Sequence, residues 1–209
     1  MKFYDCKPAP SPRRVRIFMA EKGIEIPTVE VDLRNGEQFT PAFRAVNPQC
    51  VVPYLVLDDG TGLGEAPAIC RYLEEIHPEP PLMGTDAKDK ALVAMWERRA
   101  ELEGFAAVGE AFRNSTPAFK GRALAGPERY EQDTALAERG RARTLAFFAE
   151  LDRWLAERPF VAGERYTIAD ITALVAVDFA GWLKLVLSEK CQHAKLWHAQ
   201  VSARPSAKA

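Results

Sequence analysis

Apolar and polar positions follow two different rhythms in the two halves of this chain. Near the amino terminus, Lys2–Cys6 reads as a short strand. Apolar residues at Val15, Ile17, Phe18, Met19 and Ala20 predict a helix from Arg13 with one broad buried face, ended by Gly23. Residues 26–33 alternate Ile26, Thr28, Glu30 and Asp32 against Pro27, Val29, Val31 and Leu33, the two-residue period of a half-buried strand. A short helix is expected over Pro41–Val46. Strand formers then gather around Val51, Val52, Leu55 and Leu57, and the turn formers Asp58-Asp59-Gly60-Thr61-Gly62 reverse the chain. A helix over Ala66–Ile76 closes this part, giving the order β-α-β-α-β-β-α of a small α/β sandwich. Beyond it the period lengthens to that of helices, over residues 87–112, 127–157 and 167–187, rich in Ala and Leu and, in the first two, in Glu and Arg.

His77-Pro78-Glu79-Pro80-Pro81-Leu82 separates the two rhythms, and its prolines stop a helix and stiffen a linker. The expected division is therefore residues 1–77, a linker over 78–86, and an all-helical part over 87–209. Within the latter, Thr167-Ile168-Ala169-Asp170 has the spacing of a capping box. Tyr166 and Ile171 stand at staple positions, ahead of a helix that is apolar nearly all round. Such a helix belongs at the centre of a bundle, so this motif reads as structural.

The stretch from Asn47 to Leu73 is the most informative for function. Pro53 can occupy only the first residue of a strand, an edge or a bulge. A cis bond before it would turn the Val52 main chain outward, away from a ladder. Glu65 follows at a helix start, where backbone N–H groups lack partners and favour anions. Open main chain, a carboxylate and a helix amino terminus within one hairpin point to a site for a peptide-like ligand.

Composition narrows the alternatives. Forty-seven per cent of residues are hydrophobic and 27% charged, with a net charge of −1. No basic field argues for nucleic acid or membrane surfaces. Longer apolar runs are broken, as Ile168–Leu174 is by Asp170, and none reaches the roughly 18 residues of a membrane span. The opening Met-Lys-Phe-Tyr-Asp-Cys enters a strand pattern directly, without a signal-peptide core. Cys6, Cys50, Cys70 and Cys191 form no CxxC pair and no metal-ligand spacing, and His77, His193 and His198 are dispersed. A cytoplasmic protein without a metal is expected.

A sandwich of this order, a Val-Pro-x-Leu hairpin, Glu at the next helix start, a proline-rich linker and a helical half with a Thr-x-x-Asp box together resemble the glutathione S-transferase family over essentially the whole chain. The opening Ala9-Pro10-Ser11-Pro12-Arg13 is similar to the bacterial serine/cysteine branches. The resemblance implies a thioredoxin-like amino-terminal domain followed by an all-helical domain. It also implies conjugation of glutathione, as co-substrate, to small electrophiles, and a two-fold homodimer. Val52, next to Pro53, would pair its main chain with the cysteinyl segment of glutathione, and Glu65 would meet the γ-glutamyl end. Gln38 would face the glycyl carboxylate. Family members usually place Ser after this Glu. Here Ala66 offers only its N–H, and one hydrogen bond to a carboxylate is missing.

The chemistry needs a thiolate. A free thiol with pKa near 8.5 must fall by about two units to be mostly ionised at neutral pH, which takes roughly 2.7 kcal/mol. One charge-assisted hydrogen bond and a helix amino terminus supply that much. Ser11, between the first strand and the first helix, is the leading donor, with an alternative as an ordinary helix cap. Arg13 is a candidate for thiolate electrostatics, Tyr4 for a second hydroxyl, and Cys6 for a mixed disulfide. On the acceptor side, a cleft near Trp96, Phe105, Phe112 and Arg113 is expected, but Met95, Trp96 and Phe112 at helical spacing read more readily as core, and no acceptor residue is assigned. Two other functions remain open at this point: glutathione-dependent disulfide reduction, and a binding protein without turnover, which Ala66 favours.

Overall fold

The computed structural model describes residues 1–209 and comprises two compact units. The first contains Met1–Pro80 together with Leu124–Arg129 and Ala209, the second Pro81–Ala123 and Tyr130–Lys208. The first unit is thioredoxin-like and the second is helical.

In the first unit, strands β1 (Lys2–Asp5), β2 (Thr28–Glu30), β3 (Tyr54–Val56) and β4 (Gly62–Leu63) form one mixed sheet in the order β2-β1-β3-β4. β1 runs parallel to β2, and β3 antiparallel to both β1 and β4. The two-residue period of β1 divides its side chains between faces. Phe3 and Asp5 are buried, and Asp5 Oδ1 accepts from Arg16 Nη1 of α1 (Pro10–Lys22) at 2.6 Å. Tyr4 points the other way, edge-on to Phe43 of α2 (Pro41–Val46) with centroids 6.0 Å apart. Helix α3 (Ala66–Ile76) packs beside α1, and Phe3, Val15, Ile17, Phe18, Leu55, Ile69 and Leu73 make a core closed to solvent.

Two elements differ from the expected ones. Helix α1 starts at Pro10, because prolines suit a first helical turn whose N–H groups would lack partners anyway. Strand β2 covers only three of the eight alternating positions. Pro27, which has no N–H, precedes it, and a turn beginning at Asp32 follows. Gly23 does end α1, in the left-handed region with φ 64°. At the same corner Lys22 Nζ reaches Glu74 Oε2 and the carbonyls of His77 and Pro80, all at 2.7 Å, so one buried ammonium ties the ends of α1 and α3 to the chain beyond.

The second unit contains α4 (Ala87–Arg99), α5 (Ala106–Ser115), α6 (Thr134–Leu155), α7 (Ile168–Ala180) and α8 (Gln192–Ser202). The helix expected over 87–112 is interrupted by a π-helical turn at Ala100–Phe105, and the Leu102 carbonyl there accepts from Arg143 Nη2 at 2.6 Å. Helix α6 begins at Thr134 rather than Pro127, with the Asp133 side chain accepting from the Ala135 N–H. Helix α7 ends at Ala180, where Gly181–Leu183 tightens into a 3-10 turn and Lys184 adopts φ 59°. No helix is long and apolar enough to cross a membrane.

Helix α7 is buried along almost its whole length and opens with the expected capping box. Asp170 Oδ2 accepts from the Thr167 N–H at 3.0 Å, and Oδ1 from the Val161 N–H and Trp197 Nε1, each at 2.9 Å. One carboxylate thus joins the start of α7, the loop before it and α8. Burial pushes the Asp170 carboxyl up to about 6, against the lowering pull of these donors. Helices α5 and α6 approach closely at Gly140, where a methyl group would stand 2.5 Å from the Ala111 nitrogen and 2.8 Å from the Ala107 oxygen.

Those backbone neighbours cannot move aside as a side-chain tip would. Gly140→Ala should therefore destabilise the fold by about 1–3 kcal/mol. Gly109→Ala, on α5 with open space around the added methyl, should be neutral or stabilising by up to about 1 kcal/mol. Urea titration of the pair checks both signs. A carboxyl NMR titration of Asp170 should give a midpoint near 6, above its unfolded 3.8. Its stabilising contribution is then full below the unfolded value and declines by about 3 kcal/mol as pH rises through the folded one.

Candidate functional site

Strand β3 starts at Tyr54, later in the chain than its strand formers suggest, and this places the site. The Val52–Pro53 peptide is cis, and neither the N–H nor the C=O of Val52 enters any backbone hydrogen bond of the chain. The preceding loop is held by a side chain instead. Buried Asn47 donates from Nδ2 to the Val51 carbonyl at 2.8 Å and accepts from the Gln49 N–H at 3.0 Å. Cys50 is buried within it at φ 55°.

A cleft of about 380 Å³ opens beside this loop, within the size range of small-molecule sites. Asn47, Pro48, Gln49, Val51 and Tyr54 line one side, and Gly64 and Glu65 the junction of β4 and α3. Glu65 is exposed, caps no amide with its side chain, and has φ 61° and ψ 121°. A non-glycine residue in that region costs of order 1–3 kcal/mol, a strain typical of functional positions. Ala66 follows as the first residue of α3, its methyl buried, and Pro67 lacks an N–H. The remaining wall comes from Ala125 and Gly126.

Of the residues proposed from sequence, Glu65 lines this cleft directly, while Val52, Pro53 and Ala66 adjoin lining residues along the chain. Gln38 lies in the 3-10 turn Glu37–Phe39, 7% exposed, with Oε1 buried and without a hydrogen-bond partner. Rotating the carboxamide exchanges this oxygen for an NH₂, so the position can present either a donor or an acceptor. Ser11 does not line the cleft. It is the second residue of α1, half-buried, and its Oγ accepts from Arg14 Nη2 at 3.2 Å. Ala9 precedes the helix without a side-chain cap, so Ser11 is not its N-cap. Pro10 and Pro12 have no N–H, and the Arg13 N–H donates to the Ala9 carbonyl at 3.4 Å. The first turn of α1 therefore has one unpaired amide, that of Ser11, beside the Ser11 hydroxyl.

The other candidates sit apart from the cleft lining. Tyr4 packs on Phe43. Arg13 is half-buried on α1. Cys6 is buried, and desolvation raises its thiol pKa, so it is held protonated. In the helical unit Phe112 meets Phe119, Phe179 and Trp182 with centroids 5.1–5.5 Å apart. Trp96 belongs to a separate cluster, edge-on to Trp154 and flanked by the guanidinium groups of Arg99 and Arg158. Met95 is 40% exposed. Sequence reasoning missed Asn47, whose Asn-Pro pair is a turn signal. It also missed Ala125 and Gly126, whose only trace is a Gly-Pro pair in a long helix–helix connection. No cluster of three or more His, Cys, Asp or Glu side chains is arranged to hold a metal ion.

Fold and cleft define a thioredoxin-like protein with a helical domain, offering an open main-chain edge beside a carboxylate to a small ligand. Residues 9–76 match the family model for the glutathione S-transferase N-terminal domain, and residues 93–205 that for the glutathione S-transferase C-terminal domain. Glutathione S-transferase 2 of Saccharomyces cerevisiae is 36% identical over 211 residues, spanning 100% of this chain and 88% of that protein. Among solved structures, a glutathione S-transferase domain-containing protein of Marinobacter aquaeolei superposes with a TM-score of 0.91 at 38% identity, covering 99% of each chain. Gtt2 of Saccharomyces cerevisiae superposes with a TM-score of 0.91 at 36% identity, covering 100% of this chain and 99% of that one. The chain belongs to the glutathione S-transferase family, and it is an enzyme of that class.

None of the four cysteines forms a disulfide, and all are buried. Brief treatment of the native protein with iodoacetamide at neutral pH should leave its mass unchanged, and unfolding in urea should allow four additions. Rapid single labelling at Cys6 would instead reveal a protein thiolate.

Proposed function

We propose that this enzyme binds reduced glutathione along the Asn47–Tyr54 edge, ionises its thiol beside Ser11 and directs the thiolate at a small electrophile. The observation that carries this reading is the unpaired Val52 main chain next to a cleft lined by Glu65. An extended peptide satisfies both Val52 groups by pairing as an added strand, which is how sheet edges bind peptides. Glu65 then meets the ammonium of the γ-glutamyl end. Gln38 offers its carboxamide to the glycyl carboxylate.

The thiol faces the start of α1. Two helix-terminal donors remain there, the Ser11 amide and the Ser11 hydroxyl. Because Oγ already accepts from Arg14, its proton is free to be donated, and the guanidinium draws electron density from the oxygen. A hydrogen bond to a charged acceptor contributes about 1.5–3 kcal/mol, equal to about one to two units of thiol pKa. The electrophile then forms its bond to sulfur and loses its leaving group, or takes up a proton after addition.

Cys6 favours this transferase reading over disulfide reduction through a protein thiol, since that thiol is buried and protonated. Reduction in which glutathione supplies both thiols uses the same site. Turnover of a chlorinated nitroaromatic identifies the transferase. Turnover of hydroxyethyl disulfide alone identifies the reductase, and no turnover with either identifies a binding protein. A cytoplasmic homodimer with a role in detoxification completes the reading, and sedimentation checks the stoichiometry.

Ser11→Ala should raise the pKa of the bound thiol by about one to two units, read from thiolate absorbance, and lower kcat at neutral pH more than it changes KM. An unchanged titration removes Ser11 from the thiol.

A further inference from the structure

We propose that the tip of the α5–α6 connection is a binding element of the cleft, and that the main-chain N–H groups of Ala125 and Gly126 donate to the α-carboxylate of the γ-glutamyl group. The proposal rests on the reading of the cleft as a glutathione site.

This connection runs over residues 116–133, whereas helix–helix connections usually take about 2–8 residues and longer ones are commonly functional. Its base is built to stay in place. Gln132 Nε2 donates to the carbonyls of Arg113 and Thr116 at 2.7 and 2.8 Å, and the Asp133 N–H donates to Asn114 Oδ1 at 3.0 Å. The neck closes where the Ala123 N–H meets the Tyr130 carbonyl at 3.0 Å. Between these two residues the tip, Leu124–Arg129, groups with the thioredoxin-like unit.

At the tip, Gly126 has φ 125°, a conformation side-chain-bearing residues rarely adopt, and a methyl there would stand 3.9 Å from the Gln49 carbonyl oxygen. The N–H groups of Ala125 and Gly126 make no backbone hydrogen bond. Both residues line the same cleft as Glu65.

The opposite wall is short of donors. Helix α3 opens with Ala66, whose buried methyl donates nothing, then Pro67, and the Ile69 N–H is taken by the Glu65 carbonyl at 3.0 Å. Only the Ala66 and Ala68 amides remain in that turn. In the γ-glutamyl group the ammonium and the α-carboxylate share one carbon, so an ammonium at Glu65 brings the carboxylate within a few bond lengths. Two unpaired amides on the facing wall meet its remaining lone pairs, and charge-assisted hydrogen bonds of this kind are the strong ones.

Isothermal titration of wild type and Ala125→Pro, which removes one tip N–H, with two ligands tests the proposal. The ligands are glutathione and 4-aminobutyryl-cysteinylglycine, which keeps the ammonium and lacks the α-carboxylate. Ala125→Pro should weaken glutathione by about tenfold and leave the affinity for the analogue unchanged. Equal affinity of both proteins for glutathione, or the same loss for both ligands, overturns it. Ala125→Phe keeps the N–H and fills the cleft, so it should weaken both ligands; unchanged binding to this variant also overturns the proposal, even where the proline variant fails to fold. Wild type that does not bind glutathione at all refutes instead the underlying reading of the cleft.

Discussion

A peptide ligand can pair with a sheet only where the sheet leaves main chain unpaired, and beside the cleft that condition is met at the joint before β3. The strand begins at Tyr54, so the Val52 amide and carbonyl remain open. An open segment would ordinarily lose its shape. The buried Asn47 carboxamide prevents this by bonding to Val51 and Gln49, replacing ladder bonds with side-chain bonds. Fixing the loop this way leaves its own polar groups available to a ligand. Cys50 and Glu65, both at positive φ, mark the two ends of the same stretch.

The proposed thiol activation rests on an equally local restriction. Prolines at positions 10 and 12 delete two amides from the first turn of α1, and the Arg13 amide closes onto Ala9. What remains is one residue, Ser11, with both of its protons free of main-chain partners. Arg14, mostly buried on the next turn, fixes the hydroxyl oxygen. The proposed mechanism calls for no protein thiol, in keeping with four buried cysteines and a Cys6 pKa raised by desolvation.

The helical unit obeys a different constraint. Its central helix is apolar on nearly every face, and the carboxylate fully buried at its start must be fully bonded or costly. Asp170 meets that demand with donors from its own helix cap, the loop before it and α8, so the cap of one helix also sets the seats of the loop at Val161 and of α8 at Trp197. Close approach of α5 and α6 at Gly140 completes the packing by removing a side chain altogether.

Local signals were legible in the sequence because their physics acts over a few residues. The capping box at Thr167, the left-handed end of α1 at Gly23, the hairpin turn and the proline before β3 each depend on immediate neighbours, and together they carried the fold class and the position of Val52 and Glu65. The lengths of β2 and of the π-interrupted helix were not legible, since Pro27 and the packing around Ala100–Phe105 override periodicity. Nor was the separation of Trp96 from Phe112, which share a helical spacing but meet different partners. By itself the sequence determined where the main chain turns, caps and stays unpaired. Only the tertiary structure decided that Gly126 faces Gln49 and Glu65. Residues so far apart along the chain meet through packing, and no local pattern records it.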